Sequence, residues 1–336
     1  MLNGYPPEYA ARGIAIILVI IGHANFPEEI RTIVYAFHMP LFFFLSGFLL
    51  LKKEENFNLF FVKKVKSLII PYVSYNIILI IFYWLLWIIS KSQDLYQNIF
   101  CKLIAIPMAI RIDDIYESRL WFLPCLFISN VLICALFKLF NKSLVALFAA
   151  GLIFSLIGIG LNIKYDKLIL PWSIDASLMI CIFIIVAIII REKNLLNIIL
   201  KKKFVVLYFL LYILFTYLNF LYNNNKRIDI YEADYGNYLY FYITSFTGIF
   251  IVLKIAYNIG TNKMLEFFGK NSLIIYVTHY IYLTFAFQIV KYIPLIYNDT
   301  ITKIISGLIV TLLCIIASIP TSKIINRFLP WSIGRI

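Results

Sequence analysis

The chain has 336 residues, of which 62% are apolar and 14% charged, with a mean hydropathy of +0.90 and a formal charge of +13. Soluble domains run at roughly 45–50% apolar and about 25% charged, so a soluble globule, a disordered chain and a disulfide-rich secreted module are all excluded. What remains is an all-α fold, a polytopic transmembrane helical bundle, because only helices and closed barrels satisfy their backbone inside a bilayer.

At about 20 apolar residues per span, ten runs can be drawn: 10–26, 33–51, 68–90, 120–140, 143–161, 172–190, 204–222, 238–257, 271–291 and 301–320. The first is the shortest and follows Pro6 and Pro7. Its flanks carry a single basic residue, Arg12, and no small-x-small cleavage site, so it reads as an uncleaved span and not a signal peptide. No repeat and no Gly/Ser/Pro linker divides the chain, which predicts one membrane domain over 1–336 with no appended soluble domain.

Polar groups inside spans are costly and usually face a cavity or a partner. The first span places Arg12 at its start and His23 at its end, with ten residues between them. Eleven steps of 100° bring both onto one helical face, about 16 Å apart along the axis. Each taken alone has a plain reading, Arg12 as a positive-inside anchor and His23 as a satisfied bundle histidine. The second span opens on Tyr35-Ala36-Phe37-His38-Met39-Pro40, and Pro40 leaves a backbone carbonyl free. His38 and His23 then approach across the short loop from Pro27 to Thr32. Ser46 and Gly47 are small enough for close helix contact.

At the entrance to the third span stand Lys63, Lys64 and Lys66, before Pro71-Tyr72. They can bind anionic lipid headgroups or hold the phosphates of a nucleotide-bearing cofactor as point charges. The connection 91–119 is the longest outer one and carries Asp94, Asp113, Asp114 and Glu117 with Lys91, Lys102, Arg111 and Arg119. It reads as a solvated connector or a functional outer loop. Of five cysteines, Cys125, Cys134, Cys181 and Cys314 lie in apolar runs and Cys101 in a mixed segment. They form no CxxC site, so no metal is expected.

Alternating ten spans from a cytoplasmic N-terminus leaves both termini cytoplasmic. The inner segments then hold 19 basic and 5 acidic residues, and the outer segments 11 basic and 12 acidic. Lysine and arginine excess marks the inner side. The positive charge is therefore a topology signal, and with no solvated basic domain a nucleic-acid partner is excluded.

Several motifs now combine. Arg12-x10-His23 is followed by Phe37-His38-Met39-Pro40-Leu41-Phe42-Phe43 with Leu45-Ser46-Gly47-Phe48. The basic run ending in Pro71-Tyr72 comes next, then Trp121-Phe122-Leu123 with Leu126-Phe127, then Asn271-Ser272-Leu273-x-x-Tyr276-x-x-His279. In this order they resemble the membrane-bound acyltransferase family 3. The resemblance covers residues 12–279, and the FHMPLFFFLSGF run makes it fairly specific.

The resemblance implies a ten-span O-acyltransferase, commonly an O-acetyltransferase. Such a protein passes an acyl group from cytoplasmic acetyl-CoA or another acyl-CoA, a co-substrate and not a tightly bound cofactor, to a hydroxyl of an extracytoplasmic polysaccharide or lipid-linked sugar. It implies His23 as catalytic histidine, Arg12 as its motif partner, and His38 and Ser46 lining the site. Trp121, Tyr276 and His279 would also line the substrate site, and Lys63, Lys64 and Lys66 would match the basic cytoplasmic segment. Ser67 stands where relatives often carry another basic residue. The expected location is the inner, cytoplasmic membrane of a bacterium, which the Ile-, Lys- and Asn-rich, Ala-poor composition also suggests.

Histidine suits the chemistry, since its unperturbed pKa near 6.5 lets it accept a hydroxyl proton near neutral pH. A glycolipid transporter or flippase is the alternative, because it too uses intramembrane Arg and His. Against it, no paired Gly/Pro-broken spans stand in matching halves and no GxxxxGK[ST] motif occurs. A glycan polymerase would need a larger outer loop.

Overall fold

The computed structural model describes residues 8–50, 56–90, 106–111, 120–293 and 299–335. Among the described residues the regular elements are helical, and one isolated β-bridge joins Asp229 to Asp234. Nine helical stretches among the described residues are long and apolar enough to cross a membrane, with mean hydropathy between 1.6 and 2.8 over their best windows; among them, Glu28–Leu49 and Phe57–Ile89 run through more than one helical segment. Asp94, Asp113, Asp114, Glu117, Lys91, Lys102, Arg119 and Cys101 lie outside the described residues.

The expected first span is helix α1, Glu8–His23, which has 16 residues. At 1.5 Å per residue the described helix is about 24 Å long. α1 is buried among other helices: Ala10, Ala11, Ala15, Ile16, Val19 and Ile20 are almost without exposed surface. Residues that do face outward elsewhere are also apolar, among them Val145, Leu156, Leu210, Tyr217, Leu308 and Leu312. Side chains of this kind, on helices this long, fit a lipid surround and not water.

The described residues fall into two compact units. The first is Met1–Leu50, Phe183–Asp229 and Asp234–Ile324; the second is Leu51–Ile182, Ile230–Ala233 and Ile325–Ile336. Helix α8, Ile174–Glu192, contributes its first half to the second unit and its second half to the first.

In the first unit, α1 packs against α2 (Glu28–Tyr35), α3 (His38–Leu49), α11 (Tyr238–Ile259), α12 (Lys263–Lys270) and α13 (Ser272–Lys291). α10 (Lys202–Tyr222) runs along α11, and α14 (Thr300–Phe328) lies almost wholly in this unit. The break between α2 and α3 follows from sequence. Pro40 has no N–H to give Ala36, and the Ala36 carbonyl instead accepts Ser245 Oγ of α11 at 2.9 Å. The run drawn as one span over 33–51 lies in the candidate span Glu28–Leu49, which is interrupted between α2 and α3, with His38 at the first position of α3. α3 ends where Arg191 of α8 donates to the carbonyls of Phe48 and Leu50, each at 2.7 Å. Those carbonyls lack intrahelical partners. Gly47 permits the approach, because a Cβ there would run into the Ile184 carbonyl.

In the second unit, α4 (Phe57–Lys64) leads through a π-turn, Val65–Ile69, into α5 (Ile70–Ser90). The run drawn as 68–90 therefore starts earlier. Asn56 caps α4 by accepting from Asn58 N at 2.9 Å. Pro71 cannot donate to the carbonyl four residues back, and the Ile70 N–H reaches Val65 O, the wider π spacing. α6 (Phe122–Leu139) and α7 (Leu144–Lys164) complete the unit's long helices.

Candidate active site

His23 closes α1 and is partly exposed. α13 brings two consecutive residues to it. The His279 ring lies 5.3 Å from the His23 ring, centroid to centroid, and the Tyr280 ring 5.1 Å away. The Tyr280 hydroxyl stands 3.2 Å from both Nδ1 and Nε2 of His23. Successive helical residues point about 100° apart, so His279 and Tyr280 flank the imidazole. His279 is fully buried. Its Nδ1 meets the Tyr276 carbonyl, and the Tyr276 ring lies 5.8 Å from the His279 ring.

α2 supplies the opposite wall. The Tyr35 ring lies edge-on to His23 at 6.1 Å and to His38 at 4.9 Å. Gly22, next to His23, makes room: a Cβ there would stand 3.1 Å from the Tyr35 ring. His38 is buried, with Nδ1 2.9 Å from the Val34 carbonyl. Two guanidiniums lie over Tyr35, Arg227 at 4.5 Å and Arg31 at 5.8 Å from its centroid. Glu28 bridges them, 2.7 Å from Arg227 and 3.2 Å from Arg31, and Arg31 Nε donates to Gly22 O at 3.2 Å. Burial works against the Arg227 charge, but the Glu28 hydrogen bond and the fields of Tyr35 and Asp229 outweigh it and raise its pKa above the ordinary arginine value. The layer is a fixed arrangement of charges at the C-terminal end of α1.

Arg12 stands at the other end of the same helix, paired with Glu8 at 2.9 Å. There α12 lies directly on α1. A Cβ on Gly13 would collide with the Leu265 carbonyl, and one on Gly269 with the Tyr9 carbonyl. Lys270 sits 5.2 Å from the Tyr9 ring centroid and 3.3 Å from Glu266.

The remaining expected site residues have other neighbours. Ser46 Oγ donates to Phe43 O at 2.7 Å, within its own helix. Lys63, Lys64 and Lys66 lie at the end of α4 and in the π-turn of the second unit, with Lys64 Nζ 5.4 Å from the Phe60 ring. Trp121 is buried beneath the Arg111 guanidinium, 5.5 Å from its ring. Arg111 was read as part of a solvated or functional loop, yet it is 1% exposed. It pairs with Asp175 and donates to the Ile230 carbonyl.

Sequence reasoning passed over Tyr35, Tyr280, Arg31 and Arg227. Tyr280 follows His279 directly, and Tyr35 precedes His38 by three residues, so nearness in sequence was an available signal for both. Arg227 comes from a loop far along the chain and offered none.

A partly exposed imidazole, with a tyrosine hydroxyl and a second imidazole beside it, sits within a bundle of helices apolar enough to cross a membrane. The chain belongs to the acyltransferase-3 family: that family's model, an acyltransferase domain, matches residues 10–319. The matched range holds every residue of the His23 cluster. No curated protein and no solved structure matches the chain. The protein is thus a multi-pass membrane acyltransferase.

Proposed function

We propose that this acyltransferase moves an acetyl group from cytoplasmic acetyl-CoA to a hydroxyl of an extracytoplasmic polysaccharide or lipid-linked sugar, with His23 as general base. The observation that carries the reading is the arrangement along α1. Arg12 and His23 lie on one face at opposite ends of a helix inside the family's matched range, about 16 Å apart. That separation suits the extended pantetheine arm of CoA. Arg12 then meets the phosphate end of the donor and His23 meets its thioester.

In the step itself, His23 takes the hydroxyl proton as the sugar oxygen attacks the thioester carbonyl. The carbon–sulfur bond breaks, and the imidazolium returns the proton to the departing CoA sulfur. No proton is gained or lost overall. A positioned base of this kind contributes about 10²–10⁴-fold. The Arg31–Glu28–Arg227 layer offers hydrogen-bonding groups to a sugar. With the N-terminus cytoplasmic, the His23 end of α1 faces outward, in the cytoplasmic membrane of a bacterium.

The test is acetyl transfer from radiolabelled acetyl-CoA to glycan acceptor by the full chain in proteoliposomes. Transfer by the wild type and its loss in a folded His23→Ala variant support the proposal. Transfer that survives His23→Ala sinks the base assignment. If a strain lacking the protein loses glycan export while glycan acetylation is untouched, transport is the function instead.

A further inference from the structure

We infer that the segment Leu329–Arg335 is a clasp on the basic turn, with Ser332 and Gly334 positioning the stretch that carries Lys63, Lys64 and Lys66. What the lysines then do for the donor rests on the acyl-transfer reading above; the clasp itself does not.

The turn is a joint that needs holding. A π spacing takes up one residue more than an α-helical one, so α4 and its lysines stand about 100° around the axis from where an unbroken helix would carry them. In the π spacing of Val65–Ile69, the partner of the Lys66 carbonyl would be Pro71, five residues on, which has no N–H. The segment after α14 lies on this carbonyl. Gly334 closes the 3₁₀ turn Pro330–Ile333 in the left-handed region, at φ +69°. A Cβ there would collide with the Lys66 carbonyl and stand 3.0 Å from Ser67 Cα, so glycine meets both demands. Ser332 is fully buried. Its Oγ gives its proton to Leu329 O at 2.7 Å and offers its lone pairs to the Tyr75 hydroxyl of α5, 3.2 Å away. Ile333, between them, is buried as well. The segment thus grips the joint on both sides, a carbonyl within it through Gly334 and the helix beyond it through Ser332. All of these residues belong to the second unit. Residues 320–336 lie outside the range that the family's model matches, so family membership does not by itself imply the clasp. Lys63 and Lys66 are exposed. Lysines bind phosphate as point charges, and the phosphate can come from acyl-CoA or from an anionic lipid.

The experiment follows amide hydrogen exchange and acetyl transfer by the full chain in nanodiscs of phosphatidylcholine, with and without phosphatidylglycerol. In Gly334→Val the amides of residues 57–70 are expected to exchange several-fold faster, with those of 238–259 unchanged. KM for acetyl-CoA then rises several-fold at unchanged kcat. A rise in both lipid mixtures supports the inference with acyl-CoA as the source of the phosphate, and a rise confined to phosphatidylglycerol supports it with lipid as the source. Trp331→Ala, which alters an exposed side chain of the same segment, leaves both readouts as in the wild type. Exchange over 57–70 identical in wild type and Gly334→Val overturns the inference, as does an equal rise over 238–259. Faster exchange with KM unmoved in both mixtures overturns the positioning of the lysines. If the valine variant does not fold, Ser332→Ala removes only a hydroxyl, and unmoved exchange over 57–70 overturns the inference there too. Faster exchange in a chain that transfers no acetyl group supports the clasp and sinks the acyl-transfer reading. Unmoved exchange in a chain whose transfer depends on His23 does the reverse.

Discussion

The rings of His23 and His279 lie 5.3 Å apart, although they come from the first helix and from α13 near the other end of the chain. One is partly exposed and the other fully buried, so the pair has an inner and an outer member. On the mechanism proposed above, the outer ring is the one placed to meet a substrate.

His23→Asn is therefore expected to lower acetyl transfer by about 10²–10⁴-fold, the range of a lost general base. His279→Asn should cost less activity and more stability, because it disturbs a buried ring held by the Tyr276 carbonyl. Parallel transfer assays and thermal unfolding of both variants check this. Equal loss of activity at equal stability would contradict the division.

Arg191 is expected to act on stability alone. Its guanidinium serves the Phe48 and Leu50 carbonyls at the end of α3 and pairs with Glu192 at 2.9 Å. Hydrogen bonds to a charged group are worth about 1.5–3 kcal/mol each way of accounting, so Arg191→Ala should cost about 2–3 kcal/mol. Arg191→Lys should recover part of this, since an ammonium carries the charge without the planar fork. Denaturant unfolding in detergent micelles gives the numbers. A melting curve unchanged by Arg191→Ala would show that the cap contributes nothing.

The long helices and the His23–Arg12 axis were legible because hydropathy and the 100° step are local properties. What encloses α1 was not legible. A helix enclosed by others need not match the bilayer's thickness, and burial of that kind depends on partners remote in sequence. The α2–α3 break was half legible: Pro40 announced the freed carbonyl, but nothing nearby identified Ser245 as its partner. The burial of Arg111 was not legible, because charge in a loop usually means water. Its counter-ion, Asp175, sits at the start of α8, beyond the reach of any local pattern. The same limit hid Arg227, whose place over Tyr35 exists only once the chain has folded.

Gly13 and Gly269 set how closely α12 can lie on α1. An added methyl at either position meets a backbone carbonyl, which cannot rotate away. Overpacking of this sort costs about 1–3 kcal/mol. Gly13→Ala is adjacent to Arg12 and should also weaken acetyl-CoA use, raising KM with little change in kcat. Gly160, where a Cβ meets nothing within 4 Å, is the control: Gly160→Ala should leave transfer untouched. Kinetics against acetyl-CoA concentration separate the two. Equal KM in both variants would show that the α1–α12 spacing does not matter to the donor.

Arg111 and Asp175 form an ion pair with side-chain exposures of 0% and 9%. Asp175 also accepts from Leu170 N at 3.0 Å, and Arg111 lies over Trp121. Removing one partner strands the other charge in an apolar setting, at a cost of about 3–5 kcal/mol. Arg111→Met and Asp175→Leu should each destabilise the protein by that order. The double variant should be milder than the sum, because no buried charge is left unpaired, while the Leu170 N–H and Ile230 carbonyl contacts are still lost. A double-mutant cycle by thermal or denaturant unfolding measures the coupling. Additive losses would mean that the two groups are solvated independently and that the pair is not a buried brace of this unit.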